Sequence, residues 1–542
     1  MSGKNSPSKT RWRSLKYRIG WTIAGIVIPV LYLAWHIFAW PEPIRISYET
    51  TRLTEPLTAD GYVDFLKVIR DQRKQYSDPN NEPWFVLFEN EREAALGPND
   101  FDKTRPRPKE VASIVYRDPV EAFRKSLDET QSAIEQHALV RQYEDEVLPR
   151  RMIVPFTTDD DPLLAATVEA NTDWYDAVVA TYQPTPLPVV FPSATDARSQ
   201  QTAGDILFPM LGNYRLIVQR FQLRSMLRAG RGEMEDAIQD IEFIYRIAAR
   251  FGSFAVEQSS SAFAAELRAS RSAISLILRA EKLTPTACKI IESLPQRATV
   301  GDLADDIDKA ERYVWLDIVQ GLHAGKMHDS DFIKITGQLA YFKERRVWHA
   351  VDWSRVLQNQ NQYFDRIVDE AKLPSWQEQN AAAMKLAVSL QSSDNSMVMN
   401  LDDEPPWSVI DSTDTLISIL RNQRGWLGNP IVKAHQRDLR RRVVQIVARL
   451  AMLRQINGEF PAELESVLTA DGFSQATEEL LKDPFTDGEL AYESSGDAFI
   501  LSSVGPNMVR NESGTEETST GDLDFDPQGS DDDLIWRWPP RE

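Results

Sequence analysis

The chain has 542 residues, of which 42% are hydrophobic and 26% charged, and such values exclude a chain that is disordered throughout. Its net charge of −20 argues against a nucleic-acid partner, because phosphate binding needs a basic surface. The single cysteine, Cys288, excludes an intramolecular disulfide framework and a thiolate-rich zinc site. With only six histidines, a histidine-rich metal centre is not expected either.

The charge is unevenly distributed at the start of the chain. Residues 1–20 carry six basic side chains and no acidic one, so the remaining chain holds a net charge of −26. Residues 21–40 contain no Asp, Glu, Lys or Arg, and a helix of that length spans about 30 Å, the thickness of the hydrocarbon layer. This run is longer than the apolar region of a cleaved signal peptide and lacks a clear cleavage pattern. We predict a basic cytoplasmic tail over residues 1–20 and a transmembrane signal anchor over residues 21–40.

Basic residues beside a membrane segment remain in the cytoplasm. The expected topology is therefore a single-pass membrane protein with a cytoplasmic N-terminus and residues 41–542 extracytoplasmic. The lipid bilayer is then one partner of the chain, through residues 21–40.

Frequent prolines predict an irregular arm over residues 41–117, followed by a helical domain over residues 118–425. At the start of that domain, Asp118 is the expected N-cap, with Pro119 in the first turn and Glu121 closing a capping box. The apolar residues that follow recur near helical spacing over some thirty residues, which predicts a continuous helical stretch.

Two further signals lie within the helical domain. The sequence R-A-G-R-G at residues 228–232 predicts a turn between antiparallel helices, and Thr284 with Pro285 predicts another helix start. We expect Cys288 on that helix to be a small buried residue rather than a nucleophile. The turn does not recur about 34 residues away, so an irregular helical bundle is favoured over a tetratricopeptide solenoid.

The C-terminal region changes character. A strongly amphipathic helix is predicted from Asp438 to Gln455, ending at Asn457-Gly458, and two short alternating segments around residues 490–492 and 498–501 predict a β-hairpin. We therefore predict an α+β unit over residues 438–509 and an acidic tail with a terminal strand over residues 510–542. The predicted fold class is mainly α: one transmembrane helix, an irregular extracytoplasmic helical bundle and a small C-terminal helix plus β-hairpin.

Several motifs follow one another in this region: N-G-x-F-P-x-x-L at residues 457–464, D-P-F-x-x-G-x-L-x-Y at 483–492, S-V-G-P-N at 503–507 and D-D-x-x-x-W at 531–536. Their order resembles the C-terminal part of type II secretion pseudopilins, over residues 440–538. The resemblance implies a helix followed by a small sheet. In pilins that helix is continuous with the membrane segment, whereas several hundred residues separate the two here, so filament assembly is not implied.

The whole chain also resembles a group of uncharacterised single-span bacterial envelope proteins. The shared features are the anchor, an E-P-L-x-x-D-G-Y motif at residues 55–62, an R-G-x-x-x-x-A-x-x-D motif at 231–240 and the C-terminal motifs. This resemblance implies the bacterial cytoplasmic (inner) membrane as the location and implies no activity.

A calcium-loop pattern of alternating oxygen-bearing side chains lies in the acidic tail. Its members at loop positions 1, 3, 5, 9 and 12 are Asp522, Asp524, Asp526, Ser530 and Asp533. The four carboxylates are candidate ligands of a structural calcium ion, which the major pseudopilins hold in a comparable region. Because Pro527 stands at the glycine position and position 12 is not Glu, a solvated acidic loop is the alternative interpretation.

One local cluster combines histidines and carboxylates: His323, His328, Asp329 and Asp331. Histidines five residues apart do not share a helix face as metal ligands at i and i+4 would, so solvated or structural roles are favoured. The sequence contains no G-x-S-x-G, glycine-rich phosphate loop, H-E-x-x-H or S-x-x-K in a matching context, and we assign no catalytic or cofactor-binding residue.

These observations predict a non-catalytic, membrane-anchored extracytoplasmic interaction or scaffold protein of the bacterial envelope, with an unknown envelope protein as its partner. Two alternatives stay open. One is an extracytoplasmic hydrolase whose carboxylates are distant in sequence. The other is an accessory component of secretion machinery, by analogy with the pseudopilins.

Overall fold

The structure is a computed structural model, and only part of the chain is described in it. The described residues are 27–28, 43–65, 67–68, 116–127, 132–181, 203–251, 256–279, 283–297, 303–324, 351–383, 385, 417, 430–470, 473, 477–486, 488–506, 508, 515–516 and 534–538. They are mainly helical, with a small sheet towards the C-terminus, which confirms the predicted fold class in this coarse form.

The predicted anchor, residues 21–40, lies outside the described residues except for Val27 and Ile28, which are helical and exposed. Among the helices that the structure describes, none is both long and apolar enough to cross a bilayer.

The α-helices are α1 Tyr48–Thr51, α2 Pro119–Ser126, α3 Ala133–Gln142, α4 Leu148–Arg151, α5 Pro162–Glu169, α6 Thr172–Thr181, α7 Ala203–Gly230, α8 Met234–Phe251, α9 Val256–Arg279, α10 Pro285–Ser293, α11 Leu303–Asp306, α12 Arg312–His323, α13 Trp353–Ala371 and α14 Pro430–Asn457. Single π-helical turns precede α4 and α12, at Tyr143–Val147 and Ile307–Glu311. Short 3-10 turns occur at Leu294–Arg297, Leu464–Thr469 and Glu478–Leu481.

Polar caps fix the start of several helices. The Asp118 carboxylate accepts hydrogen bonds from the backbone N–H groups of Val120 and Glu121, at 2.8 and 3.1 Å. Thr284 likewise accepts from the third residue of α10, with Pro285 in the first position. Both predicted helix starts are confirmed. Glu121, however, forms an ion pair with Arg124 at 2.6 Å instead of completing a capping box.

The prediction of one continuous helical stretch after Asp118 is wrong, because α2 ends at Ser126 and α3 begins only after Ser132. Ser132 and Glu135 form a capping box in which each side chain accepts from the other's backbone N–H, at 3.3 and 2.9 Å. That exchange satisfies two donors that a helix start leaves unpaired, so a new helix begins there. Ile134, counted in the predicted apolar pattern, is 83% exposed.

The predicted turn between α7 and α8 is confirmed. Gly232 has a φ of +80°, in the left-handed region that favours glycine. At Gly230, a Cβ atom would overlap the backbone carbonyl of Phe156, so only glycine allows this close approach. The inward face of α8 is fully buried: Ala237, Ile241, Ile244, Tyr245 and Ala248.

The sheet contains β1 Ala491–Ser494, β2 Phe499–Ser503, β3 Thr515–Glu516 and β4 Leu534–Trp538, in the order β1-β2-β4-β3. β1 and β2 form the predicted antiparallel hairpin, and β4 pairs antiparallel with β2, placing Leu501 opposite Trp536. The two-residue β3 pairs parallel with β4. Because side chains alternate along a strand, Phe499 and Leu501 of β2 both face inward and are buried.

The larger hydrophobic core joins buried side chains between Tyr116 and Leu294 with others between Trp376 and Trp536, and we call it the main core. Helix α14 lies within it, packed against α9 and α10. The apolar stripe expected on α14 faces this core, and four of its members are fully buried: Val443, Ile446, Val447 and Leu450. The small sheet and the helices α7–α10 therefore contribute to one core. The division of the chain into domains stays a prediction.

Arg449 on α14 is buried in the main core with Glu292 of α10. Its Nη2 lies 2.7 Å from a Glu292 carboxylate oxygen, and its Nη1 donates to the Val467 carbonyl at 2.9 Å. A charge buried without a partner costs several kcal/mol, so each of these residues requires the other. The pair thus fixes α14 against α10 and against the 3-10 turn that contains Val467.

The second core is formed by buried apolar side chains of residues 63–65, 304–319, 351–368 and 417. Its helices are α11, α12 and α13. The backbone of Val63 donates to and accepts from the side-chain amide of Gln320, at 3.0 and 3.2 Å. The loop that carries the E-P-L-x-x-D-G-Y motif is thereby attached to α12.

Glu370 lies in the last turn of α13, and the next residue, Ala371, packs against both cores. Burial raises the pKa of the Glu370 carboxyl to about 7, and Arg366 one turn earlier lowers it by less. The partial negative charge at a helix C-terminus acts in the same direction as burial. A carboxyl that changes charge near neutral pH therefore lies where the two cores meet.

Removing the carboxylate from the buried ion pair should strongly destabilise the fold. We expect Glu292→Gln to lower the free energy of unfolding by about 3–5 kcal/mol, because it removes the buried carboxylate that lies 2.7 Å from the buried Arg449 guanidinium. Urea unfolding followed by tryptophan fluorescence measures this change. The matched control is Asp145→Asn in the exposed pair with Arg141, where we expect a change below about 1 kcal/mol.

The double variant Glu292→Leu with Arg449→Met removes both charges at once. It should be more stable than Glu292→Gln, since apolar replacements of similar volume often substitute for a buried pair. A double variant less stable than Glu292→Gln would contradict the role assigned to the pair.

Glu370 should make stability depend on pH. Because its pKa is higher in the folded than in the unfolded chain, the folded state loses stability as pH rises from about 4.5 to about 7. Glu370→Gln cannot ionise, so we expect it to raise the free energy of unfolding by about 1 kcal/mol at pH 8, allowing for partial exposure, and to leave it unchanged at pH 4. Asp369→Asn, at the exposed neighbouring position, is the control. An equal gain at both pH values would contradict this explanation.

Candidate ligand-binding cavity

The predicted calcium ligands, Asp522, Asp524, Asp526 and Asp533, lie outside the described residues. Within the part of the chain that is described, no group of three or more His, Cys, Asp or Glu side chains is arranged to hold a metal ion. The calcium site therefore stays a prediction.

His323 is the one member of the histidine and carboxylate cluster that lies among the described residues. Its Nδ1 is 2.7 Å from the Tyr62 hydroxyl, and its ring meets Tyr62 and Trp353 edge-on. His323 thus contacts the motif loop at the edge of the second core.

Cys288 is fully buried in the main core, as predicted. Burial raises the pKa of its thiol to about 11, so the thiolate is scarce at neutral pH.

The R-G-x-x-x-x-A-x-x-D motif stabilises the α7–α8 pair. The buried Asp240 carboxylate receives three hydrogen bonds from Arg224, through Nε and Nη2, and another from Arg228 at 2.9 Å. The Ala237 carbonyl accepts from the Ser225 hydroxyl at 2.9 Å. These contacts satisfy buried polar groups, which gives the motif a structural role.

The C-terminal motifs are separated in sequence and meet in space. The Asp483 carboxylate accepts from the backbone N–H groups of Phe485 and Val504, at 3.0 and 3.1 Å, so it joins D-P-F to S-V-G-P-N. The Tyr492 hydroxyl donates to the Pro461 carbonyl at 2.8 Å, which joins β1 to N-G-x-F-P. Hydrogen bonds between motifs therefore hold the sheet beside the end of α14.

A cavity of about 270 Å³ lies between α9, the last turns of α14 and the sheet. Its volume is near the lower end of the range for small-molecule sites. Eleven residues line it: Ile277, Leu278, Leu283, Val447, Ala451, Arg454, Gln455, Gly458, Phe460, Phe499 and Trp538. Nine of these are apolar or glycine, but Ile277, Leu278, Val447 and Phe499 are almost fully buried. The partly exposed Arg454 and the exposed Gln455 therefore contribute much of the accessible wall.

Arg454 supplies the single charge in this lining. Its guanidinium carbon lies 5.1 Å from the ring centre of Phe460 and 4.8 Å from that of Trp538, both within cation–π range. Neither contact occupies its N–H donors, and within the described chain no carboxylate or carbonyl oxygen accepts a hydrogen bond from this guanidinium. We call this the Arg454 cavity.

Gln455 is the second polar side chain of the lining. Its Nε2 donates to the Leu283 carbonyl at 2.5 Å, which ties α14 to the segment before α10. The next turn ends at Gly458, whose φ of +86° lets the chain reverse towards Phe460. Together these features hold one wall of the cavity in place.

The sequence did not single out Arg454. A basic residue in the last turn of a helix is ordinary, because it complements the helix dipole. Only the fold brings Phe460 and Trp538, far apart in sequence, to the same guanidinium.

The chain matches no family model, no curated protein and no solved structure.

Proposed function

We propose that this chain is a non-catalytic, membrane-anchored extracytoplasmic protein of the bacterial envelope that acts by binding. Residues 21–40 would cross the cytoplasmic membrane, and the exported remainder would bind an envelope partner. The observation that carries the binding role is the lining of the Arg454 cavity. Arg454 and Gln455 are its only polar side chains among the described residues, and neither is a usual nucleophile or general base at neutral pH.

The hydrolase alternative needs two carboxyl groups about 5–10 Å apart at a substrate site. The described lining of the cavity supplies none, so binding is the better-supported role for this feature. Accessory participation in secretion machinery is a special case of the same proposal, since it too requires an anchored chain that binds another envelope component.

The topology can be tested with single cysteines, because native Cys288 is fully buried and should not react. We expect Ile134→Cys, at an exposed position of the proposed exported part, to react with a membrane-impermeant maleimide in intact spheroplasts. Ser8→Cys in the basic tail should react only after permeabilisation. Gel-shift labelling measures both, with the unsubstituted chain as the control. The reverse pattern would contradict the proposed orientation.

The binding role can be tested by cross-linking in intact cells, followed by purification of the full-length chain and identification of partners by mass. A chain containing only residues 1–45 is the control, since it keeps the proposed anchor. We expect an envelope protein to be enriched with the full chain and lost with the control. If both chains give the same proteins, the exported part does not carry the interaction.

A further inference from the structure

The segment that follows the predicted anchor is fixed to the second core. The backbone N–H of Arg45 donates to the hydroxyl of Ser354, in the first turn of α13, at 3.0 Å. Further along α13, Nδ2 of Asn361 donates to the Glu49 carbonyl at 3.0 Å, and α1 packs against this helix. Residues 45–49 are therefore a part of the second core and not a free linker.

The predicted anchor and this segment are close together in sequence. Residues 41 and 42 alone separate Trp40, the last residue of the predicted anchor, from Pro43. An extended chain advances at most ~3.6 Å per residue, so Pro43 lies within about 11 Å of Trp40 and Arg45 within about 18 Å. The headgroup layer is itself roughly 5–8 Å thick on each side of the hydrocarbon. With residues 21–40 in the membrane, the second core is thus held next to the headgroups.

Two large apolar side chains of the same segment are exposed. Tyr48, the first residue of α1, is 60% exposed, and Leu57 is 50% exposed. Both positions are structured: the Tyr48 ring centre lies 4.4 Å from the guanidinium carbon of Arg52, and Leu57 forms a β-bridge with Val63. Tyrosine favours the interface between membrane and water, where its ring meets apolar groups and its hydroxyl meets water.

The charges of this segment are of mixed sign. Among the described residues from 43 to 68, the exposed charged side chains are Arg45, Glu49, Glu55, Asp60 and Lys67. Two basic and three acidic groups do not form the cationic cluster that attracts a protein to anionic lipids. The segment therefore suits zwitterionic headgroups, with apolar contact rather than charge as the source of binding.

We propose that residues 43–57 dock the second core onto the extracytoplasmic surface of the membrane, with Tyr48 and Leu57 in the interfacial layer of zwitterionic lipid. This inference rests on the anchor of the proposed function. It adds a second contact with the bilayer, made by the folded part of the chain, so that the exported part lies against the membrane through its second core.

The test uses the full-length protein in phosphatidylcholine nanodiscs, with a fluorophore on Thr54→Cys. Thr54 is exposed and lies between Tyr48 and Leu57 in sequence, so the label leaves both in place. The native Cys288 is fully buried and should not react. Lipids that carry a nitroxide on the headgroup should quench this label at least about threefold more than a label on Ile134→Cys of α3, a helix of the main core.

Charged replacements should weaken the contact. Tyr48→Asp combined with Leu57→Asp should lower the quenching at position 54 by about half or more, because carboxylates are unfavourable in the interfacial layer. Tyr48→Trp should retain the quenching, since tryptophan favours the same layer. Val179→Asp, at an exposed apolar position of α6, is the matched control and should change nothing. A several-fold rise in quenching with phosphatidylglycerol would contradict the assignment to zwitterionic lipid.

The other outcomes separate this inference from the anchor on which it rests. Equal quenching at positions 54 and 134, in a chain that alkaline carbonate leaves in the membrane, would overturn the docking and leave the anchor standing. Unchanged quenching in a double Asp variant that melts like the parent would also overturn it. Release of the chain by carbonate would contradict the proposed anchor itself. Quenching that is present in nanodiscs but absent in right-side-out membrane vesicles given the same lipids would overturn lipid as the partner, because an envelope protein then covers this surface.

Discussion

Arg449 and Glu292 are opposite charges in the middle of an apolar core, and burying either alone would cost several kcal/mol. This constraint sets the position of α14. Two other arginines of the helix, at other positions along its length, also hydrogen-bond to neighbouring elements. Arg441 pairs with the buried Glu266 of α9, and Arg442 donates to backbone carbonyls of the segment before the sheet. Each arginine contacts a different element, so sliding or rotating α14 would break several charge-assisted hydrogen bonds at once.

Helix α14 is enclosed by other elements of the chain. It packs against α9 and α10, and Arg454 in its last turn contacts Trp538 of β4. Hydrogen bonds of Asp483 and Tyr492 join the motifs that follow the helix to one another and to the hairpin. The residues of these motifs thus attach the sheet to the end of the helix.

Local sequence signals predicted the local structure well. The Asp118 and Thr284 caps, the turn at Gly232 and the hairpin depend on neighbouring residues, and all are present. The break before α3 was missed because hydrophobic spacing was given more weight than the Ser132 cap. The second core could not be predicted, since it joins the loop at Val63 to helices more than 200 residues later.

The same limit applies to the cavity and to Arg454. Phe460 lies three residues after the end of α14, so its contact with Arg454 is local. Trp538 is the last described residue, and nothing in the sequence relates it to the end of α14. The candidate calcium ligands show the opposite situation. Asp522, Asp524, Asp526 and Asp533 form a local pattern that the sequence makes visible, but they lie outside the residues that the structure describes.

Strand order has a kinetic consequence for the cavity. Four residues separate β1 from β2 in sequence, whereas thirty residues separate β2 from β4. The entropy lost on closing a loop grows with its length, so β4 should dock after the hairpin has formed and should undock before it. Trp538 is on β4, and so the wall of the cavity that faces Arg454 is assembled late and opens early. Amide hydrogens of β4 would then exchange with solvent faster than those of β2.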